Sequence, residues 1–234
     1  MKRALLVILV LAACRASKPA ATPTPGMSYE AYMMQAAELE RQATHEDQSA
    51  EVARQQGAQY QCETHPESEQ TTSGTERMQG TRICDDVSAA DRRRHEARAK
   101  ELREAADHQR GLARSLLDAD RAACDGIAFD RLRDPPLRRL AARAQVANVD
   151  GGTRITLSGD DLDVDGLRRE LGCHYARAAL GGFDAAYMPS EPSTVAGSHF
   201  RVEKSGAAVT VTVLADDADA IDLVRRRADA LVGR

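Results

Sequence analysis

The sequence predicts an α+β protein: a long antiparallel helical hairpin, followed by a small α/β sandwich built of two ββα repeats. Three observations carry that expectation. Residues 28–126 contain two proline-free runs in which apolar side chains recur at three- and four-residue steps. From Leu137 onward, Val, Ile and Thr alternate with polar residues, as in half-buried strands. A pattern of strand, turn, strand, Asp-rich cap and helix then occurs twice, 56 residues apart.

The first helix is expected from Ser28 to about Tyr60, with Tyr32, Ala36, Leu39, Ala43, Ala50, Ala53 and Tyr60 on one stripe. The second runs from Ser88 to about Cys124. Ser88-Ala89-Ala90-Asp91 resembles a capping-box start, and Asp125-Gly126 supplies a stop. Ala99, Leu102, Ala106, Ala113, Leu116 and Ala123 form its stripe. At 1.5 Å per residue each helix is roughly 50 Å long, and two narrow alanine-rich seams predict close antiparallel pairing. Residues 61–87 between them are polar, bear Gly and Thr, and read as an irregular tip loop.

In the second half, Arg133-Asp134-Pro135-Pro136 marks a break, and residues 137–234 form the two-repeat domain. Arg143–Val149 and Thr153–Ser158 flank the turn Asp150-Gly151-Gly152, and a helix follows from about Val164 to Leu180. His199–Glu203 and Ala207–Leu214 flank Lys204-Ser205-Gly206, and a last helix covers about Ala218 to Val232. Two such units predict a four-stranded, mostly antiparallel sheet with two helices on one face. The Pro189-Ser190-Glu191-Pro192 linker is where the repeat is expected to lose its symmetry.

Four cysteines, Cys62, Cys84, Cys124 and Cys173, lie in these two parts, and three pairings are possible. Cys62 and Cys84 bracket the tip, so a bond between them closes it. That leaves Cys124, at the far end of the second helix, to join Cys173 and staple the hairpin to the α/β half.

The aspartates at 160, 161, 163 and 165 suggest calcium chemistry, but no glycine sits at the required turn and no Glu closes a twelve-residue loop. The cluster recurs at Asp216-Asp217-Ala218-Asp219, ahead of the second helix, as helix capping predicts. Cys173-His174 with Cys124 offers soft-metal ligands, yet no Cys-x-x-Cys or His-x-x-x-His accompanies them. His45, His65, His95, His108 and His199 are dispersed, and they read as helix-face or loop residues. The runs Arg92-Arg93-Arg94 and Arg225-Arg226-Arg227 could touch anionic lipid, although neighbouring acids make a solvated helix face the simpler reading. No G-x-S-x-G, H-E-x-x-H, S-x-x-K or phosphate-cradling glycine loop is present, so neither catalysis nor a cofactor is expected. Interspersed acids and bases at a net charge of −4 argue against a nucleic-acid partner.

The opening residues address the protein. Met-Lys-Arg precedes an apolar run from Ala4 to Val10, which is too short to span a bilayer, and Leu11-Ala12-Ala13-Cys14 ends it. These four residues resemble the bacterial lipobox, so residues 1–13 read as a lipoprotein signal peptide. The resemblance makes Cys14 the lipid-modified first residue of the mature chain, whose net charge is then −6. Acyl chains there would hold it on a membrane. Arg15 occupies the place of the inner-membrane retention Asp of enteric bacteria, which points to the outer membrane, facing the periplasm. Residues 14–27, with three prolines and no large apolar side chain between Ser17 and Gly26, form a tether. The hairpin also loosely resembles those of periplasmic efflux adaptors, without their flanking lipoyl-type halves. The expected role is therefore a non-enzymatic envelope lipoprotein that meets a protein partner through its hairpin. The alternative is a periplasmic module binding a metal ion or a small ligand.

Overall fold

A computed structural model describes residues 23–69, 77–184 and 189–233. Cys14 and the residues read as the signal peptide lie outside them. Helix α1 spans Tyr29–Gln55 and helix α2 spans Val87–Cys124, and they pack along each other as an antiparallel pair. The pairing follows from their composition. Ala36, Ala43 and Ala50 on α1, and Ala99, Ala106 and Ala113 on α2, are buried at seven-residue intervals. Alanine at each repeat lets the two backbones approach closely. Charges then flank the seam. Glu46 meets His95 at 2.5 Å, Arg54 lies 3.7 Å from Glu96, and Arg103 and Arg110 bind Asp47 and Glu40. These groups are a quarter or more exposed, so each pair contributes a few tenths of a kcal/mol at most, and together they favour one register.

The described part of the expected tip loop is not irregular, and residues 70–76 of it lie outside the described residues. Strands β1 (Tyr60–Glu69) and β2 (Arg77–Asp86) form an antiparallel ribbon continuous with the helices. Helix α1 accordingly ends at Gln55, short of Tyr60, and Gly57 at φ 71° turns the chain into the ribbon. Tyr60 is two-thirds exposed rather than part of the seam. The start of α2 also differs from the expected capping box, because Asp86 is the cap. Its carboxylate accepts from the Ser88 and Ala89 N–H groups, at 3.1 Å each. The Ala89 N–H foremost, with help from the Ser88 hydroxyl, holds Asp86 below the usual carboxylate range. Ser88 itself places its hydroxyl 2.7 Å from the Gly57 carbonyl, which ties the two helix ends together beneath the ribbon.

After α2, two short helices, α3 (Phe129–Arg133) and α4 (Pro136–Arg139), lead into the sheet. Strands β3 (Ala144–Val149), β4 (Gly152–Ser158), β5 (Ser198–Ser205) and β6 (Ala208–Ala215) lie in the order β3-β4-β6-β5, all antiparallel. Helices α5 (Val164–Leu180) and α6 (Ala218–Leu231) cover one face. Ile155, Leu157, Val209, Val211 and Val213 point into a core shared with Leu167, Leu171, Val224 and Ala228. Alternate strand residues such as Arg154 face solvent.

The internal repeat is visible in the register. Ala144 pairs with Leu157, and their counterparts 56 residues on, Phe200 and Val213, pair in the same way. Ile155 pairs with Val211, its own counterpart, so a pseudo-twofold axis passes through the sheet at that pair. The symmetry also reaches into the linker expected to break it. Pro136 opens α4, and Pro192, its counterpart, opens the 3₁₀ turn Pro192–Thr194. The halves instead differ in chemistry. In the first, Leu137 and Leu171 are fully buried, whereas their counterparts Ser193 and Arg227 are buried and polar.

Around that polar plug, Arg227 Nη1 donates to the Thr194 carbonyl at 3.0 Å and the Thr194 hydroxyl at 2.9 Å. The Ser193 hydroxyl donates to one oxygen of the Glu191 carboxyl at 2.8 Å, and the other has no partner. Glu191 is fully buried, and burial raises its pKa from 4.5 to about 7 against the pull of Ser193, the Leu137 backbone and Arg227. The folded state therefore holds this proton more tightly than the unfolded chain does. The contribution is complete below pH 4.5 and is lost as pH rises toward 7, with a magnitude on the order of 3 kcal/mol. Glu191→Gln is expected to be more stable than the parent at pH 8 and nearly equal to it at pH 4.5. Urea midpoints at the two pH values check this, and a parent-to-variant difference independent of pH would refute it.

Candidate functional site

Three places in the fold bear on function, and the first two gather residues that the sequence singled out. The first is the hairpin tip. Cys62 and Cys84 stand directly opposite each other on β1 and β2 and are joined by a disulfide closing 22 residues of chain. Cys62 is half-buried and Cys84 exposed. Among the described residues the ribbon is two strands wide, and neither outer edge has a strand neighbour.

The second is the base of the hairpin. Cys124 at the end of α2 is bonded to Cys173 on α5, across a sequence separation of 49. Beside this staple, Tyr32, Leu112, Ala113 and Leu116 of the hairpin pack on Ala179 and Leu180 of α5. The Arg177 guanidinium lies 3.6 Å from Asp120. With both sulfurs bonded to each other, neither is available as a thiolate ligand. His174 is fully buried, and both its ring nitrogens lack hydrogen-bond partners. Burial depresses its pKa, opposed by the nearby Arg131 backbone and reinforced by the Arg177 and Arg139 charges, so the ring is neutral near pH 7. Among the described residues, no three His, Cys, Asp or Glu side chains are grouped to hold a metal ion.

The third is a cleft that the sequence did not single out. It lies between α3, α4 and the start of α5 and has a volume of about 390 Å³. Arg131 and Arg139 both bind Glu170, whose side chain is 13% exposed, and Arg143 Nη1 reaches the two Asp161 oxygens at 2.8 and 3.1 Å. Leu140, Leu162 and Leu167 supply apolar wall. The signal in the sequence was the density of arginine around Pro135-Pro136, where Arg131, Arg133, Arg138 and Arg139 crowd nine residues. It was legible only as a break between domains.

The remaining clusters serve the fold. Asp163 caps α5 by accepting from the Gly166 N–H at 3.0 Å, and Asp217 caps α6 by accepting from Asp219 and Ala220. The two repeats thus use different members of their matching aspartate runs. The run Arg225–Arg227 is not a free basic face. Arg225 donates to the Val149 and Gly152 carbonyls at 2.9 and 3.3 Å, and Arg227 is buried in the polar plug. His95 is engaged with Glu46 across the helix seam.

Comparison of the chain with protein-family models, with curated proteins and with solved structures gives no match. No helix among the described residues is long and apolar enough to cross a membrane.

Proposed function

We propose that this protein is a membrane-anchored bacterial envelope lipoprotein with a structural or interaction role. Lipid on Cys14 holds it, on the outer membrane facing the periplasm, and the hairpin presents its tip to a protein partner. One observation carries this reading: the 38-residue helix α2 runs from the α/β half to a separate, disulfide-closed ribbon. A helix of that length spans about 55 Å. Among the described residues its far end supports the ribbon. The lipobox-like run Leu11-Ala12-Ala13-Cys14 and the proline-bearing tether supply the anchor.

The test exchanges residues 63–83 for a short Gly-Asn turn and compares envelope crosslinking with the parent in native cells. The expected result is that specific adducts disappear while helicity and membrane association persist. Adducts that survive the exchange unchanged would defeat the interaction reading. Cys14→Ser, in turn, is expected to abolish acylation by intact mass and to leave the protein off the membrane. A membrane-bound, unacylated Cys14→Ser protein would defeat the anchor reading separately.

A further inference from the structure

We propose that the arginine-lined cleft between α3, α4 and α5 binds a small organic oxyanion, a carboxylate or phosphate head on a short apolar body. Elsewhere most guanidiniums pair with a single neighbouring carboxylate, although Arg54 and Arg92 likewise converge on Glu96, at 3.7 Å each. Here two guanidiniums, Arg131 and Arg139, share the one carboxylate of Glu170, and each spends a single nitrogen on it. Arg131 makes the longer contact, 3.4 Å, lines the cleft and is 55% exposed, so one of its five N–H donors is engaged and the side chain stays open to a ligand. A guanidinium fork of this kind matches the two oxygens of a carboxylate or phosphate.

The acids nearby are already committed. Asp161 is occupied by Arg143, and Asp163 caps α5 through the Gly166 N–H. Formal charges in the cleft balance, so the ligand is held by directed donors and not by net charge. The N-terminal turn of the 17-residue helix α5 also borders the cleft, adding a favourable dipole to the arginine donors. Leu162 and Leu167 give the wall against which an apolar body would lie, and about 390 Å³ suits a small molecule.

The internal repeat provides an independent argument. If the fold required this cluster, the second ββα unit would carry it too. Instead Glu170, Arg143 and Arg139 have Arg226, His199 and Val195 as counterparts. Among the described residues the first unit carries a charged cluster that its twin lacks, so the cluster is not a structural necessity of the unit. This inference is independent of the hairpin's role.

The experiment is calorimetric titration of the full chain at fixed ionic strength with sodium hexanoate, hexyl phosphate and inorganic phosphate. The expected result is saturable one-to-one binding of at least one hexyl probe. Arg131→Gln and Leu162→Ser should each weaken it at least tenfold, and Arg154→Gln, on the open sheet face, should leave it unchanged. The tighter of the two hexyl probes identifies the head group. Absence of saturable binding by both hexyl probes would overturn the proposal. So would binding that inorganic phosphate reproduces equally, or that survives Arg131→Gln with the circular dichroism spectrum intact.

Discussion

Gly152→Ala is expected to destabilise the α/β half by about 3 kcal/mol or more, an effect typical of severe overpacking. A Cβ placed on Gly152 would lie 2.1 Å from the Val213 carbonyl oxygen and 3.0 Å from the Leu214 Cα. Both atoms belong to the backbone of β6, a central strand held by β4 on one side and β5 on the other, so neither can swing aside as a flexible side chain would. Nor can β4 retreat, because Arg225 on α6 holds the Val149 and Gly152 carbonyls. The cause is packing and not turn geometry. Ala208, the counterpart of Gly152 in the second repeat, carries a Cβ at the equivalent position opposite Ser158. Gly206→Ala provides the contrast. That glycine sits at φ 63° with open space around its missing Cβ, so only the backbone penalty of about 1 kcal/mol applies. Urea midpoints of the two variants should therefore separate widely, and equal midpoints would show that the sheet relaxes around Gly152 at little cost.

Removal of the base disulfide by Cys124→Ala with Cys173→Ala should be larger still. A crosslink across 49 residues is worth about 4 kcal/mol by loop entropy. The remaining coupling of the hairpin to the α/β half includes a small apolar contact, Tyr32, Leu112 and Leu116 against Ala179 and Leu180, and the Arg177–Asp120 pair. The expected outcome is a lower urea midpoint and the splitting of one unfolding transition into two. The helices report at 222 nm, and amide exchange of the sheet reports on the α/β half. Coincident transitions at the parental midpoint would show that packing alone welds the halves. The Cys62–Cys84 bond closes a shorter loop, and its loss is expected to fray the ribbon while leaving the seam of α1 and α2 paired.

Much of this architecture could be read from the chain because periodicity and pairing agree with each other. The alanine-rich stripes at three- and four-residue steps predict a close helix pair, and the 56-residue repeat predicts two ββα units in one four-stranded sheet. The cysteine positions then admit one economical pairing, and the structure has it. The ribbon was not legible. Tyr60–Glu69 reads YQCETHPESE, which is mostly polar and interrupted by Pro66, so it carries no sustained strand pattern. The capping of α2 was misplaced by two residues because Asp86 and Ser88 are both good caps. The polar plug was hidden for a different reason. Glu191 and Arg227 are ordinary residues in a charged sequence, and only their burial makes them unusual. The cleft shares that difficulty, since Arg131, Arg139 and Glu170 meet only after α3, α4 and α5 fold together.

The two ends of the hairpin are mechanically unequal. Helix α1 begins and α2 ends beside α5, where a covalent bond and an apolar contact clamp them, while among the described residues the opposite end meets its own ribbon. A rod held at one end is a cantilever. Any push or pull on the ribbon arrives at the clamp multiplied by a lever arm of about 55 Å. The side chains in that clamp are Cys124, bonded to Cys173 at the centre of α5, and Tyr32, Leu112 and Leu116, packed on Ala179 and Leu180 at its end. Strain at one end of the molecule thus has a physical route to the helix whose first turn borders the arginine cleft.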